Sequence, residues 1–252
     1  MTVANMGWDL QSFGEGRFQL GLGTQVKGHN ERRFSVPWSP PAPRMREYIL
    51  AVKAIWNTWK TGEKLDFQGE HYTHTLMTPM FTPPPMDCDA PPIYVSGLGP
   101  GMARIAGEVA DGLLLHPMCS PKYINDIILP AVTEGAKKSN RDPKDCELLW
   151  GGFIATGETE EDLKRAKRNV AARISFYAST RTYRPALDFH GWGDINEALH
   201  KLSIEGKWEE MFALVTDDMV ETLGFCGSGE EVANSLRKNL SPICSAAMWN
   251  EV

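Results

Sequence analysis

The cysteines offer no disulfide framework and no zinc site. There are five, at Cys88, Cys119, Cys146, Cys226 and Cys244, odd in number, scattered and without a CxxC pair. That usage points to a reducing compartment. A basic excess is also lacking: the net charge is −6, which removes the electrostatic footprint of a nucleic-acid binder. No run of about 18 apolar residues is available to span a bilayer. The first residues carry no charged region followed by an apolar one, so no signal peptide is expected. Nucleophile-elbow chemistry has no motif to rest on. What is present is ordinary for a packed protein, with 42% hydrophobic and 23% charged residues. A cytoplasmic location and a small-molecule partner are the expectations, with neither nucleic acid nor membrane involved. Oligomeric state is open, a homodimer among the options.

Short apolar strands alternate with helical periodicity. Strands are expected at 17–23, 93–96, 113–116, 148–156 and 223–226. Between them, Met45, Tyr48, Ile49, Val52, Ile55, Trp56 and Trp59 recur at helical spacing and predict a core-facing helix over Arg44–Lys60. Thr159 with Asp162, and Ser228 with Glu231, read as helix starts of the capping-box kind. Gly112 is placed to end a helix. Thr24–Trp38 and Thr180–Gly193 read as loops, and Ser241–Val252 as a frayed end. The pattern is α/β with a parallel sheet of about five βα units and no internal repeat. Two architectures fit it, an open doubly wound sheet and part of an eight-fold barrel.

The segment Ile93–Leu115, IYVSGLGPGMARIAGEVADGLLL, carries the most chemistry. A strand ends in Gly97-Leu98-Gly99-Pro100-Gly101-Met102 and a helix begins at once. Helix starts leave amides unpaired and carry partial positive charge, and glycines let a phosphate approach that backbone. A dinucleotide fingerprint needs glycine where Met102 stands, and a P-loop needs a lysine before Ser or Thr, so neither motif is met. The bland alternative is a tight strand-to-helix turn with no ligand, for which three glycines in five residues are more than needed.

Four segments together resemble the luciferase-like monooxygenase family, in the branch that uses the deazaflavin coenzyme F420. They are Gly16–Gly23 (GRFQLGLG), Ser96–Gly112 (SGLGPGMARIAGEVADG), Phe153–Leu163 (FIATGETEEDL) and Gly224–Val232 (GFCGSGEEV). The likeness covers about Trp8 to Leu240. It implies a (β/α)8 TIM-barrel fold with the cofactor at the C-terminal ends of the strands. It implies a phosphate loop at Gly97, Leu98, Gly99, Gly101 and Met102, a ring-lining position at Thr24, and a substrate-facing, catalytic position at His116. Where sugar-phosphate dehydrogenases of the family carry a catalytic glutamate, Val26 stands here.

Three βα units that the family places before GRFxLGLG have no counterpart in this sequence. The expectation is therefore a single partial barrel domain over residues 1–252, with two open sheet edges. As a piece of a longer protein it would aggregate or bind cofactor weakly. The function implied is hydride transfer between coenzyme F420 and an organic substrate. Alternatives are an FMN-dependent monooxygenase, a non-catalytic remnant or interaction module, and an NAD-type dehydrogenase.

Other clusters read more plainly. His71 and His74 have metal spacing only on a helix, and the local sequence is extended, so no metal is expected. His29 lies in a charged, solvated stretch. His190, Trp192, Tyr177, Arg181, Tyr183 and Arg184 form an aromatic and basic cluster suited to a cover or a surface contact. The acidic runs Glu158–Asp162 and Glu230-Glu231 sit in first helical turns and complement the helix dipole.

Overall fold

A computed structural model describes residues 1–248. In chain order the first elements are α1 (Thr2–Phe13), β1 (Leu20–Leu22), α2 (Lys27–Arg32), α3 (Pro41–Thr61), β2 (Phe67–Gln68), β3 (Thr73–His74) and β4 (Ile93–Gly97). The middle holds α4 (Pro100–Val109), β5 (Gly112–Leu115), α5 (Pro121–Tyr123), α6 (Leu129–Lys138), β6 (Glu147–Trp150) and β7 (Phe153–Thr156). A π-helical turn, Ile124–Ile128, joins α5 to α6. The last are α7 (Glu160–Ala178), α8 (Arg184–Phe189), α9 (Gly193–Glu205), α10 (Trp208–Phe212), α11 (Asp217–Leu223), β8 (Gly224–Gly227), α12 (Gly229–Asn239) and β9 (Ala246–Ala247). The contacts divide the chain into two compact units. One is Met1–Ser96 with Arg104–Leu113 and Val132–Cys146, and the other is Gly97–Ala103 with Leu114–Ala131 and Glu147–Val252.

The first unit is organised by α3. Its stripe buries Met45, Ile49, Val52, Ile55, Trp56 and Trp59 as the periodicity predicts, each worth about 2 kcal/mol once removed from water, while Tyr48 is only half-buried and lines a cavity. Helix α1 packs on it. The Trp56 Nε1 donates to the Ala4 carbonyl at 2.9 Å, and Trp8 meets Trp59 edge-on at 5.4 Å. The proline-rich connection before β4 is tied down by Trp8 and Gln11, which donate to the carbonyls of Pro84 and Asp89. Strand β1 pairs in parallel with β4, Leu20 opposite Ile93. Glu47 on α3 accepts from the amides of Glu70, His71 and Tyr72 and so closes the β2–β3 hairpin. Helices α4 and α6 meet backbone to backbone. A Cβ on Gly107 would overlap the Val132 carbonyl, and one on Gly135 the Arg104 carbonyl.

In the second unit β7 pairs in parallel with β8, Phe153 opposite Gly224 through Thr156 opposite Gly227. Helix α7 starts on the Thr159 cap, whose hydroxyl accepts from the Asp162 amide. Helix α12 starts on a complete Ser228–Glu231 capping box. Strand β6 pairs in parallel with β9, Leu149 opposite Ala246.

Several expectations are corrected. The strand expected at 148–156 breaks at Gly151-Gly152, because the Trp150 indole folds over Gly152 into the space a Cβ would need. Each half then takes a different partner. The tail expected to fray forms β9, anchored by the Ser245 amide on the Leu148 carbonyl and the Met248 amide on the Trp150 carbonyl. Residues 249–252 of that tail lie outside the described residues. Thr180–Gly193 is helical, since Pro185 sits in the first turn of α8 where its missing amide costs nothing. Thr24–Trp38 contains α2. Gly112 opens β5; the turn before it is held instead by the Asp111 carboxylate, which accepts from the Ile93 amide at 2.8 Å and pairs with Lys53. Strand β1 is only half-buried, with Gly21 exposed, as an edge strand with one partner must be.

Candidate functional site

Six of the seven residues singled out in the sequence lie in the second unit. Strand β4 delivers the loop Gly97–Gly99, and α4 begins at Pro100. Pro100 has no amide to orphan, and the amides of Gly101 and Met102 fall in the first turn, where no intrahelical acceptor exists. A Cβ at Gly99 would meet nothing within 4 Å. The space in front of this glycine is open, as a phosphate would require. Leu98 differs: it is 9% exposed and packs into the core, so only its backbone is available to a ligand.

His116 follows β5, and its amide donates to the Gly97 carbonyl at 3.1 Å, joining it to the glycine loop. Its ring sits between two phenol rings, Tyr177 at 4.7 Å and Tyr183 at 4.6 Å between centroids. Phe153 meets Tyr177 at a tilt, 6.3 Å between centroids. The Nδ1 accepts from the Met118 amide at 3.2 Å, which places the ring proton on Nε2. Burial among these rings pushes the imidazole down to about 4, so it is neutral at pH 7 and presents a single N–H. The spacing of Tyr177 and Tyr183, one helix and one turn apart, gave no hint that both flank His116. Only their shared aromatic character was visible.

A cavity of this unit, about 610 Å3, runs along β8 and is lined by Lys122, Lys167 and His190 among others. Its cations are answered: Lys122 pairs with Asp126 at 2.5 Å and Lys167 with Glu221 at 2.6 Å. His190 shares a 3.1 Å hydrogen bond with Ser120 and stacks on Trp192. Burial, with Lys122 nearby, lowers its pKa. Ser120 is itself buried and caps α5 through the Tyr123 amide, so it is a structural hydroxyl.

Thr24, the remaining residue, lies in the first unit just past β1. It lines a cavity of about 220 Å3 together with Leu22, Trp38, Arg44, Tyr48 and Tyr72. Its carbonyl accepts from Asn30 Nδ2 at 3.0 Å. Gln25, next in the chain, has φ 56, a left-handed conformation that is strained for a side chain of this kind. Val26 is the N-cap residue of α2 and makes no side-chain cap. Among the described residues no group of three or more His, Cys, Asp or Glu could hold a metal. No helix among them is long and apolar enough to cross a membrane.

Comparison with known proteins extends these observations. Residues 1–241 match the family model described as luciferase-like monooxygenase. An uncharacterised protein of Mycobacterium tuberculosis is 45% identical over 237 residues, 94% of this chain and 70% of that relative. An F420-dependent glucose-6-phosphate dehydrogenase of Beutenbergia cavernae is 33% identical over 175 residues, 68% of this chain and 49% of its own. Among solved structures, the coenzyme F420 dependent tetrahydromethanopterin reductase of Methanopyrus kandleri superposes with a TM-score of 0.75 at 20% identity, over 98% of this chain and 72% of that one. An F420-dependent secondary alcohol dehydrogenase gives 0.69 at 18% identity, over 98% and 68%. The fold is thus an incomplete TIM barrel of the luciferase-like kind, and the chain belongs to the luciferase-like monooxygenase family, with its likeness to the F420-dependent branch.

Proposed function

We propose that the protein is an oxidoreductase that moves a hydride between coenzyme F420 and an organic substrate. The observation that carries this is the start of α4, with first-turn amides free of intrahelical acceptors and open space before Gly99. Gly97, Gly99, Gly101 and Met102, with the backbone of Leu98, would hold the cofactor's phosphate, and Thr24 would line the pocket of its ring. The deazaflavin supplies the hydride chemistry; the protein supplies binding, orientation and exclusion of water.

His116 fits the role of a neutral hydrogen-bond donor. With Nδ1 occupied by the Met118 amide, Nε2–H is free to donate to a substrate oxygen that gains negative charge. A neutral imidazole does this without a proton leaving the protein beforehand. Tyr177 and Tyr183 hold the ring in place.

The test is a fluorescence titration of the purified chain with F420, FMN and NADPH, repeated on Gly99→Val. An added side chain at Gly99 enters open space, so this variant keeps its melting temperature. F420 is expected to bind best, and Gly99→Val to weaken it roughly tenfold by shielding charge-assisted amide contacts. Tighter binding of FMN or NADPH, binding of none of the three, or indifference to Gly99→Val overturns the assignment.

A further inference from the structure

The cavity beyond β1 contains a cation that the fold leaves unanswered. Arg44, half-buried on the first turn of α3, donates from Nε to the Tyr72 hydroxyl at 3.0 Å and from Nη1 to the Ser39 hydroxyl at 3.4 Å. Both partners are neutral. Among the described residues Arg44 is in no ion pair, whereas its neighbour Arg46 pairs with Glu108 at 2.6 Å and Lys53 with Asp111 at 3.0 Å. Withdrawing a guanidinium from water beside neutral partners alone is costly, and the cost is recovered only when an anion arrives.

The neighbours of Arg44 are built to stay put. The Tyr72 amide donates to Glu47 Oε1 at 2.5 Å, and its ring meets Tyr48 edge-on at 5.3 Å. Trp38 and Tyr48 add aromatic faces to the wall. The charge on offer is a single one. Helix α3 enters through Pro40, Pro41 and Pro43, and prolines have no amide, so the helix start adds little to anion capture. A phosphate dianion is generally met by several amides or more than one cation. One planar guanidinium fork flanked by hydroxyls matches one carboxylate.

We propose that the Arg44 end of this cavity binds the carboxylate of a small organic acid, gripped by Arg44 with the Tyr72 and Ser39 hydroxyls beside it and the carbon part against Trp38 and Tyr48, with Thr24 left to the cofactor's ring. That such an acid is the enzyme's substrate class rests on the oxidoreductase reading; the binding site itself does not.

Benzoate is the probe, followed by tryptophan fluorescence, with benzamide as its neutral isostere and phenyl phosphate as a dianion. Benzoate should bind saturably and more tightly than either control. Arg44→Gln should weaken it roughly tenfold or more, Arg44→Lys less, and Tyr72→Phe by a few-fold, with circular dichroism unchanged. Equal affinity for benzamide, or benzoate binding that survives both Arg44→Gln and Tyr72→Phe, overturns the site. F420 is titrated in parallel. F420 affinity unchanged in Arg44→Gln supports a substrate carboxylate. An equal loss assigns Arg44 to a carboxylate of the cofactor and overturns the substrate claim. If F420 fails to bind the wild type while benzoate binds through Arg44, the oxidoreductase reading falls and the acid site stands.

Discussion

The cavities of the two units treat charge in opposite ways. In the first, a guanidinium lines a cavity with only hydroxyls for company. In the second, the cavity lysines carry their own carboxylate partners and the histidine of interest is held neutral among aromatic rings. The units also pack differently. The first joins α4 to α6 backbone to backbone through glycines as well as α1 to α3 through tryptophan rings, whereas the second surrounds its histidine with rings. An uncompensated cation is a socket for an anion, whereas a desolvated imidazole is a fixed hydrogen-bond donor.

The packing half of the comparison breaks most easily at Gly135. Its missing Cβ makes room for the Arg104 carbonyl, and backbone cannot step aside as a side-chain tip can. Gly135→Ala should cost on the order of 3 kcal/mol, read as a fall in the urea midpoint. A midpoint within error of the wild type would mean that α4 and α6 separate without penalty.

The charge half is sharpened by acid. The folded state holds His116 down to about 4 against an ordinary 6.5, so folding disfavours its protonation. The stability this represents is whole above pH 6.5 and is lost as pH falls toward 4, where the unfolded chain binds the extra proton. The loss is on the order of 3 kcal/mol. His116→Gln should remove it, so the stability gap between wild type and variant should change with pH over that window. A gap that is flat from pH 7 to 4 would place the imidazole in water.

The smallest expected effect concerns the helix ends, where the two units are alike in needing caps. Ser228 accepts from the Glu231 amide and Glu231 returns to the Ser228 amide. Ser228→Ala should lower stability by about 1 kcal/mol, seen as a modest drop in Tm, with no change in F420 titration.

Much of the second unit was legible because its signals are local. Ser228-x-x-Glu231 announces a helix, the apolar runs at 148–156 and 223–226 announce strands, and a glycine cluster after a strand announces a turn into a helix. The α3 stripe was equally plain, since one face of one helix carries it. What escaped depended on distance. Trp150 breaks its strand by folding over Gly152, a fact of rotamer and not of pattern. The β9 ladder exists because Leu148 and Trp150 had open carbonyls for Ser245 and Met248, which no window around the tail could reveal. Arg44 stood in plain view as a helix residue. Its lack of a counter-ion is a property of everything folded around it, and so was invisible until Glu47, Tyr72 and Ser39 were placed.

The strand that changes partner at Gly151-Gly152 also sets a timetable. Its first half waits for Ala246 and Ala247, and its second for Gly224 to Gly227. During synthesis β6 finds β5 already made on one side, but Leu149, Trp150 and Phe153 leave the ribosome long before β9 and β8, the strands that complete their pairing. The nascent chain must carry that apolar edge uncovered through the making of α7 to α11. The interval in which those edges lack a partner is thus set by one glycine pair, and it closes in two steps, first at β8 and then at β9.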